Sequence, residues 1–300
     1  MSLIFILLGW NILFSHFGTT ANCDIIPDNA FKIMSYNVQN LAKNNLHIQD
    51  KSHREKIFSI LVSEKPDIIC MQEFYYSGAN KEELINDLEK SLKLPYSYQK
   101  NYFRSNSKIN TLIIFTKFPI LNKGFVKNND GRVLLIYTDL KIYNDTVRLV
   151  NMHMQSFKFQ QEDLDFVKEF GKSGIKDDIT EGSKNIVKRL HSAYILRADE
   201  SKVFEKFAKK SKFPLIVCGD FNDTPASYTY HTVSDNLEDS FVKSGSGIAK
   251  TYIESMLPLR IDYILYDDDF KSCNYKTHEA YHLSDHYPVS CNLVAIRKRQ

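Results

Sequence analysis

The chain has little excess charge and no long basic run. Its formal net charge is +3 and its pI is near 8.4, so composition does not indicate a nucleic-acid-binding protein. The basic clusters are short and interrupted, as expected of solvated surface, and lie at residues 51–56, 209–212 and 297–299. Repeats and low-complexity runs are absent, whereas 43% hydrophobic content is ample for a folded globular core.

The chain also lacks closely spaced cysteine pairs. Five cysteines, at positions 23, 70, 218, 273 and 291, show no spacing typical of a zinc site or a redox motif, and their odd number argues against a complete disulfide framework. Cys70 and Cys218 lie in apolar runs, which predicts that they are core residues. Cys273 and Cys291 could form a bridge if two C-terminal strands pair in the right register.

No apolar run reaches the roughly 20 residues that a membrane-spanning helix needs. Residues 3–17 are mostly apolar but include polar residues, and no Lys or Arg precedes Lys32. The basic region of a secretory signal is therefore missing, and the positive-inside rule cannot orient the segment. Three interpretations stay open: a membrane anchor or its remnant, a signal-like sequence, and a buried helix of the domain.

The remaining pattern predicts one α/β domain. We divide the chain into the apolar segment (1–18), a linker (19–30), the domain (31–296) and a basic tail (297–300). Residues 156–212 are interpreted as a covering helix and loop, with Arg197 in a surface ion pair. Apolar runs bounded by turn residues predict strands, and charged amphipathic stretches predict helices. The predicted strands include 32–38, 67–73, 112–115, 133–140 and 145–153, and the predicted helices include 51–64, 81–92 and about 183–210.

Polar side chains stand at the ends of several of these strands. Leu215 to Cys218 form a short buried strand that leads to Asp220, Asn222 and Asp223. Such oxygen donors suit a hard divalent cation or a water that must be held and deprotonated, although a capped turn has the same composition. Asn37, Glu73 and His153 end other apolar strands. Their shared placement favours a common site.

One acidic residue lies in a strand that is otherwise apolar. Asp262, within residues 259–266, would be costly to bury without a partner. His286, near the end of the chain, can supply that partner. An Asp that holds a His in one tautomer and orientation is a recurrent catalytic arrangement.

Six short motifs occur in a fixed order: Ser35-Tyr36-Asn37-Val38, Met71-Gln72-Glu73, Asn151-Met152-His153, Gly219-Asp220-Phe221-Asn222-Asp223, Arg260-Ile261-Asp262-Tyr263 and Ser284-Asp285-His286. Together they resemble the motif set of the endonuclease/exonuclease/phosphatase superfamily, which includes deoxyribonuclease I. The apolar N-terminus resembles a bacterial branch with hydrophobic N-terminal helices. The resemblance implies a four-layer sandwich of two mixed sheets flanked by helices, with the site where strand ends converge.

The resemblance also implies residue roles. Glu73 would bind Mg2+ or Mn2+, with Asn37 beside it and Asp285 near the same ion. Asp220 would orient or deprotonate the attacking water, and Asn222 would hold water or phosphate. His153 and His286 would stabilise the scissile phosphate, and Asp262 would fix His286. A metal and two imidazoles would neutralise the phosphoryl charge, which is what phosphoester hydrolysis requires.

The substrate stays open between classes. Some nucleases of the superfamily carry an acidic residue where this chain has Gln39, and the signature blocks of inositol-phosphate phosphatases are missing. The first hypothesis is a phosphodiesterase that cuts nucleic acid. The second is a phosphatase or sphingomyelinase-like hydrolase of lipid or small phosphoesters, held at a membrane through residues 3–17. The third is a binding protein without activity. We expect a monomer that is membrane-associated or exported.

Overall fold

Two mixed six-stranded sheets form the centre of the protein. The computed structural model of the chain describes residues 14–19, 23, 25–41, 51–75, 81–104, 109–157, 181–255 and 257–296. The first sheet contains, in spatial order, β13 (Phe270–Thr277), β14 (Val289–Ala295), β2 (Ala30–Asn37), β3 (Ile68–Tyr75), β5 (Ile109–Thr116) and β4 (Tyr96–Arg104). The second contains β10 (Glu238–Asp239), β12 (Asp262–Tyr266), β9 (Leu215–Asp220), β8 (Asp145–His153), β7 (Val133–Ile142) and β6 (Ile120–Lys127).

Helices cover the outer faces of both sheets. On the first sheet, α1 (Lys51–Glu64) and α2 (Lys81–Leu92) share a core with β2 and β3. On the second, α3 (Glu181–Ala208) and α4 (Tyr228–Val233) share a core with β8 and β9. A third apolar cluster fills the space between the sheets. The predicted α/β four-layer sandwich is therefore confirmed.

Burial on both faces explains the composition of the central strands. All six residues of β9 are buried, so the strand is a nearly continuous apolar run, as expected of a parallel strand covered on both sides. Gly219 is needed here because a Cβ at this position would collide with the carbonyl oxygen of Met152 on β8. The close approach of these two strands fixes the positions of the residues that follow them.

The end of the apolar N-terminal segment is attached to the domain. Residues 14–17 are its described part, and the rest of the predicted segment lies outside the described residues. Strand β1 (Phe17–Thr19) pairs with β11 (Ser246–Ile248), which follows the short helix α5 (Ser240–Ser244). Among the described residues, no helix combines the length and the apolar character needed to cross a membrane.

Cysteine pairing differs from the bridge considered from the sequence. Cys273 is bonded to Cys23, and Cys291 is a free, buried thiol. In the pairing of β13 with β14, Cys273 lies opposite Asn292, so Cys291, one residue away, points to the other face of the sheet. Cys70 and Cys218 are buried in the cluster between the sheets, as predicted.

Candidate active site

Parallel strand pairs bring the predicted polar residues to one edge of the sandwich. Asn37 and Glu73 come from the parallel strands β2 and β3. His153 and Asp220 lie opposite each other at the ends of the parallel strands β8 and β9. Asp262 begins β12 and pairs in register with Asp220. The carboxyl ends of neighbouring parallel strands therefore converge, as the sequence predicted.

Asp220 is the most heavily hydrogen-bonded carboxylate of this edge. It accepts hydrogen bonds from the Asn222 backbone N–H at 2.8 Å, from Asn222 Nδ2 at 3.1 Å and from Asn37 Nδ2 at 3.0 Å. Burial opposes its ionisation, but the neighbouring His286 and His153 lower its pKa below the usual value. Asp220 is thus an ionised hydrogen-bond acceptor at neutral pH.

His286 contacts the buried carboxylate that the sequence assigned to it. Its Nδ1 atom lies 2.9 Å from Asp262 Oδ2, and its Nε2 atom lies 3.8 Å from Asp220 Oδ2. Burial alone would lower the pKa of His286, but Asp262, Asp220 and Asp285 raise it well above the usual value. The imidazole is therefore held as a cation whose Nε2–H points toward the cleft.

His153 faces the same oxygen of Asp220 from the other side. Its Nε2 atom lies 3.5 Å from Asp220 Oδ2 and 3.6 Å from Glu73 Oε1. That nitrogen is buried and has no hydrogen-bond partner at normal distance. Burial opposes protonation, but Asp220 and Glu73 raise the pKa of the ring. A buried donor that still lacks a close acceptor is suited to an oxygen of a bound ligand.

The three predicted metal ligands present oxygen atoms on the first sheet's side of the cleft. Glu73 accepts hydrogen bonds from Asn37 Nδ2 at 3.4 Å and Asn40 Nδ2 at 3.3 Å. The pKa of Asp285 is raised to about 7 by burial and by the charges of Glu73 and Glu254. At neutral pH the Asp285 carboxyl is therefore only partly ionised, and a bound cation would favour its charged form. Carboxylate and amide oxygens are ligands that Mg2+ and Mn2+ prefer. These residues fit a hard divalent cation.

A second group of atoms could also hold a metal. Asp220, Asp262 and His286 each place one ligand atom within 4.8 Å of the others. However, His286 Nδ1 and Asp262 Oδ2 already satisfy each other at 2.9 Å. A hard cation gains more from the oxygen set around Glu73, because Glu73 is held only by longer amide contacts at 3.3 and 3.4 Å and retains partial solvent access. The oxygen set around Glu73 therefore suits metal binding, and the Asp262–His286 pair suits orientation of the imidazole.

The backbone is strained where it positions these side chains. Glu73 has φ 52° and Asn222 has φ 53°, and the turn after β2 places Gln39, Asn40 and Leu41 at positive φ as well. Residues with side chains adopt this region rarely, and such conformations persist where the surrounding structure enforces them. The turn brings Gln39 Oε1 within 3.2 Å of the Asp285 backbone N–H.

Several residues of the site were not anticipated from the sequence. Tyr102, on the edge strand β4, packs its ring edge-on against His153 with 5.2 Å between ring centres. Ser284 donates from its hydroxyl to the Asn37 carbonyl oxygen at 2.7 Å and so ties the His286 loop to β2. Gln39, noted only as a departure from some nucleases, supports that loop. Of these, Ser284 alone lies in a recognised motif.

Arg197 is buried, whereas the sequence predicted that it lies on the surface. It forms an ion pair with Asp223, with Nε 3.0 Å from Oδ2, but both side chains are almost fully buried. Arg197 also donates from Nη1 to the Gln155 carbonyl oxygen at 3.2 Å. The expected ion pair exists, and its predicted surface position was wrong because Asp223, one residue after Asn222, turns inward to meet α3.

Comparisons with known proteins identify the family and the fold. The model of the Endonuclease/Exonuclease/phosphatase family matches residues 34–286. No curated protein matches the chain in sequence. Similar solved structures include an endonuclease/exonuclease/phosphatase family protein from Bacteroides thetaiotaomicron (19% identity, TM-score 0.59, 89% of this chain and 98% of that one). A second is the human Nocturnin catalytic domain with bound sulfate (17% identity, TM-score 0.60, 90% of this chain and 96% of that one). A third is a mannosyl-6-phosphatase from B. thetaiotaomicron VPI-5482 (19% identity, TM-score 0.56, 88% of this chain and 99% of that one).

Proposed function

Because the chain belongs to the endonuclease/exonuclease/phosphatase family, whose members are phosphoester hydrolases, we propose that it is a divalent-metal-dependent phosphodiesterase that cuts nucleic acid. One observation carries the mechanism. The Oδ2 atom of Asp220 is flanked by the Nε2 atoms of His153 and His286, at 3.5 and 3.8 Å. A carboxylate that can accept a proton thus lies near two imidazole nitrogens that can donate to phosphate oxygens, which is the arrangement that hydrolysis of an anionic phosphoester needs.

Each residue then has a task. Asp220, ionised and aligned by Asn222 and Asn37, holds the attacking water and accepts its proton. His153 and His286 donate from Nε2 to the non-bridging phosphate oxygens as negative charge develops. Asp262 holds the orientation of the His286 ring and favours its protonated form. Asn37, Glu73 and Asp285 would hold Mg2+ or Mn2+, which would supply charge neutralisation at the phosphoryl group.

The test is hydrolysis by the full chain of plasmid DNA and of RNA, each with Mg2+ or Mn2+ and with EDTA. We expect EDTA-sensitive cleavage that His286→Ala reduces by at least about 100-fold, as for loss of a transition-state donor. His191→Ala, which removes a histidine from α3 outside the site, is the matched control. Cleavage that survives His286→Ala would refute the assignment of the site.

A second candidate is a hydrolase of lipid or small phosphoesters at a membrane. The Ser15 backbone oxygen accepts a hydrogen bond from Arg260 Nη2 at 2.7 Å, and Arg260 lies two residues before Asp262. The apolar N-terminal segment therefore ends on the side of the domain that carries the site. Sphingomyelin and phosphatidylinositol-phosphate vesicles, compared with the same headgroups in free form, test this candidate: faster turnover of the vesicle-borne substrates supports it.

The same region supports a proposal about the location of the protein. The Cys23–Cys273 bond belongs to a class of crosslink that persists in oxidising compartments. We propose that the domain lies outside the reducing cytosol. Thiol labelling of protein denatured directly from cells, before and after reduction, checks this location. We expect three reactive cysteines before reduction and all five after it.

A further inference from the structure

A short segment connects the two residues of the Asp262–His286 pair. Residues 251–253, here called the bridging segment, lie between β11 and β12. Asp262 belongs to the second sheet, whereas His286 lies in the connection between β13 and β14 of the first sheet. The short Nδ1–Oδ2 contact therefore depends on how accurately two separate sheets are held relative to each other at this edge.

Thr251 fixes the Asp262 side. It is completely buried, and its Oγ1 atom accepts hydrogen bonds from the backbone N–H groups of Ile261 at 2.9 Å and Asp262 at 3.1 Å. Its own backbone N–H donates to the Leu259 carbonyl oxygen at 2.8 Å. One hydroxyl thus satisfies both N–H groups at the point where β12 begins, and so fixes the backbone that carries the Asp262 carboxylate.

The same segment fixes the His286 side. The Thr251 carbonyl oxygen accepts from the Tyr287 N–H at 2.8 Å, and the Ile253 N–H donates to the Asp285 carbonyl oxygen at 2.7 Å. These bonds lie on either side of His286. The Tyr252 ring packs edge-on against the His286 ring, with 5.2 Å between ring centres and an interplanar angle of 64°. The imidazole is therefore held by backbone bonds and by an aromatic contact.

We propose that Thr251 and Tyr252 are positioning residues for the hydrolytic reaction, and that the bridging segment sets the geometry of the Asp262–His286 pair from both sheets at once. Neither residue has to touch the substrate for this role. The inference rests on the proposed function, since it concerns how His286 is presented to the phosphate. It assigns a task to a stretch of chain that lies outside the six sequence motifs.

Thr251→Val and Thr251→Ser test the hydroxyl directly. Valine has the same shape without the acceptor, so the two backbone N–H groups lose their partner and the Asp262 end of β12 shifts. We expect kcat to fall by about 10- to 100-fold, the effect typical of losing an outer positioning group, with KM nearly unchanged. Serine keeps the acceptor and should restore most of kcat. An unchanged kcat in Thr251→Val would overturn the proposal.

A double-mutant cycle separates positioning from general damage. In an Asp262→Asn background the pair is already broken, so Thr251→Val should lower kcat by less than about 2-fold further. An equal loss in both backgrounds would show that Thr251 acts only on folding, and the proposal fails. If Thr251→Val does not fold, Tyr252→Leu against Tyr252→Phe decides: loss of kcat in Leu alone supports the role of the ring, and equal activity contradicts it.

The same assays separate the two levels of inference. Turnover by the unaltered chain that does not depend on His286 would contradict the proposed function and leave nothing for the bridging segment to position. Turnover that depends on His286 but is insensitive to Thr251→Val and Tyr252→Leu would keep the proposed function and remove the positioning role alone.

Discussion

His286 lies between two carboxylates of the second sheet: its Nδ1 atom is 2.9 Å from Asp262 Oδ2 and its Nε2 atom is 3.8 Å from Asp220 Oδ2. The two contacts differ in kind. The shorter one is a hydrogen bond that orients the ring, and the longer one leaves space at the nitrogen that faces the cleft. The ring is thus fixed on one side and available on the other.

Replacing the orienting carboxylate should therefore impair catalysis more than folding. Asp262→Asn removes the negative charge that raises the pKa of His286, so the ring becomes a weaker hydrogen-bond donor to the phosphate and loses its fixed orientation. We expect kcat to fall by about 100- to 1,000-fold, the effect typical of losing one transition-state donor. The measurement is kcat on the best substrate, alongside thermal unfolding. A loss of less than about 3-fold in a folded variant would contradict the role of Asp262.

Glu73 should govern the affinity for the divalent ion. Glu73→Gln removes the charge but keeps the shape, and we expect the Mg2+ or Mn2+ concentration for half-maximal activity to rise by at least about 10-fold. Isothermal titration calorimetry of metal binding provides a readout that does not depend on turnover. Glu55→Gln, on the exposed side of α1, is the control and should leave both values unchanged. Equal metal affinity in Glu73→Gln would remove Glu73 from the ligand set.

The buried Arg197–Asp223 pair should matter for stability. Breaking one partner leaves an uncompensated buried charge, which typically costs about 3 to 5 kcal/mol, so Arg197→Leu and Asp223→Asn should each lower the free energy of unfolding by that order. Chemical denaturation measures it. The exposed Lys209–Glu205 pair is the matched comparison, and Lys209→Met should leave the free energy of unfolding nearly unchanged. Similar small effects for both pairs would contradict the prediction.

His278 should contribute a loss of stability between about pH 6.5 and pH 4, against the opposite contribution of Asp285, whose raised pKa favours the folded state as pH falls. This ring is fully buried, with Nε2 2.9 Å from Ser290 Oγ and Nδ1 3.1 Å from Glu64 Oε1. Burial lowers its pKa to about 4, against the opposing attraction of Glu64. Over this pH range the unfolded chain binds a proton at His278 that the folded chain excludes. The unfolded state is therefore stabilised relative to the folded state as pH falls.

The expected loss of stability follows from the size of the pKa shift of His278. At about 1.4 kcal/mol per pKa unit, His278 would remove about 3 kcal/mol of stability by pH 4. The neighbouring charged groups are Glu64, Lys32 and Lys276, and the lowered pKa of Glu64 removes further stability at the acid end. Denaturation curves at several pH values measure the slope. The difference in slope between the unaltered chain and His278→Gln isolates this contribution above pH 4.5, and identical slopes would contradict the prediction.

The sequence located most of the candidate site because its residues lie at the ends of buried strands. Asn37, Glu73, His153 and Asp220 each follow an apolar run that can only be a central strand, and the parallel pairing of those strands brings their ends together. Asp262 and His286 were paired by the cost of burying one carboxylate alone. Both inferences use local composition and a general rule of sheet geometry, so no knowledge of the tertiary packing was required.

The edge strands could not be predicted in the same way. Strands β4, β6 and β13 border their sheets, and β6 alternates between half-buried and exposed residues without a strong apolar pattern. Tyr102 lies on β4 and was missed with it. The Cys23–Cys273 bond likewise depends on the register of β13 and on the path of the N-terminal segment. Arg197 was placed on the surface because its partner's orientation is set by a turn, not by local sequence.

The Cys23–Cys273 bond has a consequence for the connectivity of the molecule. It joins residues 250 positions apart, so strands β2 to β12 and every candidate site residue except Ser284, Asp285 and His286 lie within one covalent ring. A protease that cuts the backbone once inside this ring opens it without releasing a fragment. The cut protein remains a single covalent species until the bond is reduced, and its site can stay assembled while its chain is no longer continuous.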